Sequence, residues 1–163
     1  MARSSVAACR CFLPLVALLS PSFVISDTRA RVAFPTSISL ERTWCFGPCP
    51  VYKVTLRASG GVFYEGEANV ARVGKYTARI DEQDYQRIAA WARRLGFSHL
   101  KPSYSSGVTC QSSAITRVVV GDELFETEDN GSSGPSELWA LEEIIDGVVA
   151  SATQWEAVPT GQN

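Results

Sequence analysis

Two cysteines that flank a Gly-Pro turn are the residues in this sequence best suited to chemistry. They lie in the run Cys45-Phe46-Gly47-Pro48-Cys49-Pro50. Two thiols at this spacing reach disulfide distance if the chain turns tightly, whereas an extended chain keeps them apart. Reduced or differently paired thiols are one alternative, and a catalytic dithiol is another. Redox enzymes favour Cys-x-x-Cys at a helix N-terminus, but the flanking pattern here is that of strands. The sequence therefore predicts a structural disulfide between Cys45 and Cys49.

Metal and hydrolase chemistry have weaker support. Cys45, Cys49, Cys110 and His99 have the composition of a zinc site, but only one pair is closely spaced, and zinc sites usually use two such pairs. His99 is the single histidine, yet no Gly-x-Ser-x-Gly nucleophile motif accompanies it. We expect it on the surface after a helix end. We therefore assign no catalytic residue, no metal ligand and no cofactor, and we regard an enzyme as the less favoured class.

Length and charge limit the range of functions. The chain has 163 residues, enough for one domain with a substantial core. With 15 basic and 17 acidic residues its formal net charge is −2. Binding to a phosphate backbone needs a surplus of Lys and Arg, so we expect no nucleic-acid partner.

The N-terminus has the pattern of an export signal. Arg3 and Arg10 precede or border an apolar run at residues 12–19, and residues 24–26 form an acceptable cleavage tripeptide. The apolar run is shorter than the roughly 20 residues that span a bilayer, although a membrane anchor remains the alternative. We predict a signal peptide at 1–26 and a leader segment at 27–37. The protein is then exported, either periplasmic or secreted, and does not span the membrane after cleavage.

From residue 38 the hydrophobic pattern has a period of two, which predicts strands. Ser59-Gly60-Gly61 suits a hairpin turn, and residues 62–66 suit the return strand. The segments around Val70–Val73 and Tyr76–Ile80, which Gly74 separates, are expected to form a further strand or a bent pair of strands. The residues predicted to share the inner face of the first two strands are Ile38, Leu40 and Arg42, then Tyr52, Val54 and Leu56.

Two segments have helical periodicity. The first begins at Asp81 and ends at Gly96, and the second begins with Pro135 in its first turn. Between them, Gly121-Asp122 predicts a two-residue hairpin turn. The fold class is therefore α+β: an antiparallel meander sheet with two helices packed on one face, in the order β-β-β-β-α-β-β-α. We expect a single domain over 38–155 and a frayed tail at 156–163.

Aromatic and acidic residues divide between core and surface. The aromatic residues expected in the core are Tyr52, Phe63, Tyr64, Trp91 and Trp139. Trp44 and Phe46 flank the cysteine turn and are exceptions; with Tyr52 and Cys110 they form the candidate functional surface. The acidic residues near the last hairpin are expected on a solvated face, with a cation site as the alternative; they are Glu123, Glu126, Glu128 and Asp129.

The run at residues 40–52, with its Cys-Phe-Gly-x-Cys-Pro-x-Tyr core, resembles the opening of the bacterial domain-of-unknown-function family 6438. Further matches span about 38–155; they are Gly61-Val62, Tyr64-Glu65-Gly66, Tyr104, Thr109, Pro135, Leu138, Leu141, Glu142, Ile145, Asp146 and Trp155. The resemblance implies an exported or lipoprotein-like bacterial domain with no established activity. Where the family usually has Thr-Asp, this chain has Thr109-Cys110. This chain therefore lacks that Asp. We expect Cys110 to be a buried free thiol, with a place beside Cys45 and Cys49 as the alternative.

These observations favour a non-catalytic binding or cell-envelope-associated module stapled by the Cys45–Cys49 disulfide. Its expected partner is an envelope protein or a small ligand, neither of which the sequence identifies. The alternative is a periplasmic thiol-redox or metal-binding protein that uses Cys45, Cys49 and Cys110.

Overall fold

A computed structural model describes residues 34–159 of the chain. The predicted signal peptide and residues 27–33 of the predicted leader lie outside the described residues. The elements are β1 (Ser37–Arg42), β2 (Val51–Arg57), β3 (Gly61–Ala68), β4 (Gly74–Arg79), α1 (Glu82–Leu95), a 3-10 turn (Phe97–His99), β5 (Ser103–Ser105), β6 (Ser113–Val120), β7 (Glu123–Asn130), α2 (Ser136–Ala150) and β8 (Thr153–Ala157).

The eight strands within residues 34–159 form one sheet in the order β5-β7-β6-β1-β2-β3-β4-β8. Strands β1 to β4 form the predicted meander, and the β6–β7 hairpin joins it through β1. All pairs are antiparallel except β5 with β7. With two helices added, the α+β class and the approximate order of the elements are confirmed.

Period-two alternation places one side of the sheet in the core. Ile38, Leu40, Val54 and Leu56 are fully buried on the inner faces of β1 and β2. These residues and the buried sides of both helices belong to a single hydrophobic cluster. Burial of such side chains is the main source of stability in a domain of this size.

The caps of α1 are those that the sequence predicts. The Asp81 carboxylate accepts a hydrogen bond from the Gln83 backbone N–H at 2.8 Å, and Gly96 adopts a left-handed conformation with φ of 67°. Helix α2 begins one residue later than Pro135, which occupies its N-cap position. The indole N–H of Trp91 in α1 donates to the Glu137 carbonyl oxygen in α2 at 3.0 Å, which ties the two helices together.

Two edge strands, β5 and β8, are absent from the predicted order. β5 has only three residues and β8 only five, and most of their side chains are exposed. Neither therefore has a hydrophobic alternation that would predict it; each forms because an open sheet edge offers unpaired backbone groups. β8 also continues to Ala157, two residues into the segment expected to be a frayed tail.

Two aromatic predictions are wrong. Phe63 and Trp139 are each 50% exposed rather than in the core. Phe63 lies on the face of β3 that no helix covers, because its neighbours Val62 and Tyr64 take the inward positions. Trp139 follows Leu138 on α2, where the helical period directs Leu138 inward and its neighbour outward.

Candidate functional site

The turn between β1 and β2 brings the two predicted cysteines together. The sulfur atoms of Cys45 and Cys49 lie at disulfide-bonding distance, and their Cα atoms are 5.8 Å apart. Phe46, at the tip of this turn, is 92% exposed. Its backbone N–H donates to the Cys110 carbonyl oxygen at 3.3 Å. The structure therefore places Phe46 and Cys110, two of the four candidate surface residues, side by side.

The expectation that Cys110 is a buried thiol is wrong. Its side chain is exposed, and it forms no disulfide with the other described cysteines. The residue has a φ of 69° in the loop between β5 and β6. A loop residue that hydrogen-bonds to a neighbouring turn through its backbone, as Cys110 does, need not direct its side chain into the core.

Trp44 lies at the same end of the sheet and is 55% exposed. Its indole N–H donates to the Glu67 carboxylate at 3.3 Å. Trp44 and Tyr52 both contribute to a depression of about 530 Å³. The Tyr52 side chain, however, points toward α2, so the four candidate residues do not form one contiguous patch.

Tyr52 belongs to a polar cluster beneath α2 that comprises Arg42, Tyr52, Glu142 and Asp146, here called the Arg42 cluster. Arg42 and Tyr52 are directly paired across β1 and β2 and share the inner face. The Tyr52 hydroxyl donates to Asp146 Oδ1, and the Arg42 guanidinium donates to Asp146 Oδ2 at 2.7 Å. Arg42 also lies 3.6 Å from the Glu142 carboxylate. Two adjacent strands and the distant helix α2 thus meet through these four side chains.

Burial and charge shift the ionisation of this cluster. Burial, the Asp146 charge and the hydrogen bond to Asp146 all raise the pKa of Tyr52, so its phenol stays protonated. Burial lowers the pKa of Arg42, but Asp146, Tyr52 and Glu142 outweigh burial, and the net shift is upward. Burial raises the pKa of Glu142 to about 8, in opposition to the lowering effect of Arg42. The cluster thus holds a permanent cation beside an acid that is neutral over part of the physiological range.

The prediction that the acidic residues near the last hairpin lie on a solvated face is wrong for Asp129. It is only 2% exposed, and its Oδ1 accepts hydrogen bonds from the backbone N–H groups of Ser133 and Gly134 at 2.6 and 2.9 Å. Its charge also contributes to the raised pKa of Glu142. Period-two alternation explains this placement, because Asp129 shares the inner face of β7 with the buried Thr127. The carboxylate therefore has a structural role: it fixes the loop that leads into α2.

A cleft of about 270 Å³ opens beside the Arg42 cluster and is here called the Tyr52 cleft. Aromatic contacts build its wall: Tyr52 stacks on Tyr64 with a 5.5 Å centroid separation, and Trp155 meets Tyr64 edge-on at the same separation. The Arg72 guanidinium lies 4.2 Å from the Trp155 ring centroid. The residues that line the cleft are Pro50, Tyr52, Tyr64, Asn69, Val70, Ala71, Arg72, Asp146, Val149, Ala150 and Trp155.

The cysteine turn supports one side of this cleft. The Asn69 side-chain amide donates to the Cys49 carbonyl oxygen at 2.9 Å. Asn69 itself has a φ of 55° in the β3–β4 connection. This contact joins the turn to the segment that carries Arg72, so the Cys45–Cys49 linkage lies next to a wall of the cleft.

Sequence reasoning selected Tyr52 but did not assign a role to Arg42, Glu142 or Asp146. A signal was available, because Arg42 falls on the inner face of β1, where an unpaired charge would be costly. Glu142 and Asp146 are four residues apart and therefore lie on one helix face. Only the packing of α2 over β1 and β2 shows that these charges meet.

The alternative sites have less support from the geometry. The cysteine sulfurs that a zinc site would need are bonded to each other, and no group of three or more His, Cys, Asp or Glu side chains suited to a metal ion occurs within residues 34–159. His99 is exposed at the end of the 3-10 turn, where the sequence predicted it.

Comparison with known families gives one match. The model of a family described as "Domain of unknown function (DUF6438)" matches residues 36–149, which is more than two thirds of the chain. The chain belongs to this family. The match includes the cysteine turn, the Arg42 cluster and all but the last residue of α2, and it confirms the resemblance seen in the sequence. No curated protein matches the chain. The family description states no activity, so function must be argued from the site.

In the described part of the chain, no helix has both the length and the apolar character needed to cross a membrane.

Proposed function

We propose that this member of the family is an exported, non-catalytic module that binds a small polar ligand in the Tyr52 cleft. The observation that carries the proposal is the cleft itself. It combines aromatic side chains with a few polar groups, the composition typical of small-molecule sites. Arg72 and Asn69 provide hydrogen-bonding groups at its wall.

The surroundings of the cleft suit binding better than bond making. Asp146 is engaged by both Arg42 and Tyr52, so it is not free to act as a general base. The raised pKa of Tyr52 keeps its phenol a hydrogen-bond donor. We infer that these groups hold the wall of the cleft rigid, and that Arg72 and Asn69 contact the ligand at its mouth.

The cysteine turn acts in this proposal as a structural staple. It positions Pro50 and, through the Cys49 carbonyl, Asn69. The proposed export agrees with this role, because disulfides persist in oxidising compartments. Protein recovered from the periplasm should begin near Asp27 and contain one free thiol, Cys110, with a peptide that links Cys45 to Cys49. Mass spectrometry with thiol alkylation measures both features, and an uncleaved chain would contradict export.

Binding is tested by NMR titration with N-acetylglucosamine, a probe that carries both hydroxyl and amide groups. We expect saturable shifts of the Trp155 indole and of the backbone amides at residues 69–72. Arg72→Gln should weaken binding roughly tenfold, since hydrogen bonds from charged donors are among the stronger polar contacts. Arg57→Gln, an exposed change elsewhere on the sheet, is the control and should bind normally. Absence of saturable shifts at these positions would contradict the proposal.

A thiol-redox protein is the second candidate, favoured by the backbone hydrogen bond between Phe46 and Cys110. In this function the Cys110 thiolate attacks the Cys45–Cys49 disulfide, forms a mixed disulfide with one sulfur and releases the other as a thiolate. Peptide mapping of wild-type protein held at pH 8 measures this exchange. Linkage of Cys110 to Cys45 or Cys49 would favour the redox function, and an unchanged Cys45–Cys49 pair would favour the staple.

A further inference from the structure

A large apolar groove, separate from the Tyr52 cleft, runs along α1 on the helical side of the sheet and is here called the α1 groove. Its volume is about 970 Å³, near the upper end of the roughly 300–1,000 Å³ typical of ligand pockets. Its apolar surface comes from α1, the 3-10 turn, the β6–β7 hairpin and α2. The larger apolar residues that line it are Trp91, Phe97, Val118, Val120, Phe125 and Ile144.

Basic residues border this apolar surface. Arg87, Arg93 and Arg94 line the groove, and Glu123 is the acidic residue among the described lining residues. Arg87 is already paired with Asp84 at 2.8 Å. Arg93 and Arg94 instead lie over aromatic rings, 5.2 Å from the Phe34 centroid and 5.0 Å from the Trp91 centroid.

The stacked arginines are suited to an anionic head group. A guanidinium that lies on an aromatic ring keeps its N–H groups at its edge, where they can bind a carboxylate in a bidentate manner. The positions of Arg87, Ala90, Trp91 and Arg94 follow the i, i+3, i+4, i+7 pattern of one helix face. Apolar contacts and arginine donors are therefore next to each other along the groove.

We propose that the α1 groove binds a free long-chain fatty acid, with the acyl chain on the apolar floor and the carboxylate at Arg93 and Arg94. The open side of the groove leaves the head group in contact with water, where a charge is not costly. The apolar floor accounts for affinity for the chain, and the arginines account for selection of an anionic over a neutral head group. This site goes beyond the proposed function, since the Tyr52 cleft does not share any of its lining residues.

Calorimetric titration of the purified full protein with dodecanoate, below its micelle concentration, tests the proposal. We expect one molecule bound per chain, and roughly tenfold weaker binding of dodecanol, which lacks the charge-assisted hydrogen bonds. The double variant Arg93→Gln, Arg94→Gln should lose that preference and bind both probes alike. Arg57→Gln, which changes an exposed charge outside the groove, should retain it.

A second pair of variants tests the floor of the groove. Val120→Glu places a carboxylate among the lining side chains and should abolish dodecanoate binding. Val119→Glu is the matched control, because the neighbouring residue on a strand faces the opposite side of the sheet. Circular dichroism establishes that both variants are folded before binding is compared.

Three results would overturn the proposal. Dodecanoate could fail to bind the folded wild-type protein, or the double arginine variant could bind it as tightly as wild type does. Binding could also occur only after limited proteolysis removes the residues before Phe34, which would assign the groove to the protein's own N-terminal segment. If wild-type protein binds dodecanoate but not N-acetylglucosamine, the result contradicts the proposed function of the Tyr52 cleft and leaves the proposal for the α1 groove standing.

Discussion

The hydroxyl of Tyr52 on β2 donates a hydrogen bond to the carboxylate of Asp146 on α2, across 94 positions of sequence. The Arg42 guanidinium donates to the other oxygen of the same carboxylate at 2.7 Å. Asp146 therefore links two adjacent strands to the last helix. This contact fixes the position of α2 over the sheet, and with it one side of the Tyr52 cleft.

The first prediction concerns this link. Tyr52→Phe removes the hydroxyl but keeps the ring and its stacking on Tyr64. We expect the free energy of unfolding to fall by about 1.5–3 kcal/mol, since hydrogen bonds to charged groups contribute roughly that much. Tyr76→Phe, which removes an exposed hydroxyl bonded to the Val73 carbonyl at 3.3 Å, is the control and should cost less than about 0.5 kcal/mol. Urea denaturation measures the free energy of unfolding of both variants. Equal losses would show that the Tyr52–Asp146 hydrogen bond stabilises the protein no more than the exposed Tyr76 hydroxyl does.

The second prediction is a pH dependence caused by Glu142. Its pKa is about 8 in the folded protein and 4.5 when unperturbed, so the folded state retains a proton that the unfolded state loses. Stability should therefore decline as the pH rises from about 4.5 to about 8, by at most about 1.4 kcal/mol per pH unit. Glu142→Gln removes the titration, so we expect a flatter profile and a variant more stable than wild type at pH 8.

Glu143→Gln is the matched control for this profile. Glu143 is next in sequence and contacts Arg42 at 3.4 Å, but its side chain is 56% exposed. We expect this variant to keep the decline between pH 4.5 and 8. Denaturation curves recorded at several pH values provide the measurement, and a wild-type profile that rises through this window would contradict the assignment to Glu142.

The third prediction concerns the staple. A disulfide that closes a five-residue loop stabilises a protein by about 2 kcal/mol in the chain-entropy model. The double variant Cys45→Ala, Cys49→Ala should lose about that much and should also weaken ligand binding in the Tyr52 cleft, whose wall it supports through Asn69. Cys110→Ala should change stability by less than about 0.5 kcal/mol because its side chain is exposed. If the double variant proves as stable as wild type, the turn is not a staple.

The fourth prediction compares two glycines. A Cβ on Gly66 would lie 1.9 Å from the Arg72 carbonyl oxygen and 2.9 Å from side-chain atoms of Tyr64 and Val70. Gly66→Ala should therefore destabilise the protein by about 1–3 kcal/mol, as overpacking does, and displace the segment that carries Arg72. Gly147 in α2 has open space around its Cβ position, so Gly147→Ala should stabilise by about 0.5–1 kcal/mol. Thermal unfolding shows whether each variant is less or more stable than wild type. An unchanged stability of Gly66→Ala would mean that the β3–β4 connection shifts to accommodate the added Cβ at little cost.

The sequence alone determined the parts of this protein that depend on local order. Period-two alternation identified β1 and β2, because a residue that faces inward must be followed by one that faces outward. Asp81 and Gly96 marked the ends of α1, because capping depends on a few neighbouring residues. The spacing of Cys45 and Cys49 across a tight turn favoured their pairing over the alternatives of reduced, differently paired or catalytic thiols.

The tertiary structure decided how distant segments meet. β5 and β8 form only because the sheet provides open edges. Each is short and exposed, so its sequence has no hydrophobic alternation that would predict a strand. Arg42, Glu142 and Asp146 are ordinary charged residues in the sequence, and they become a cluster when α2 packs across β1 and β2. The exposure of Cys110 likewise follows from the contact of its loop with the cysteine turn. Both proposed ligand sites combine side chains from several elements, so their chemistry depends on packing that local sequence does not encode.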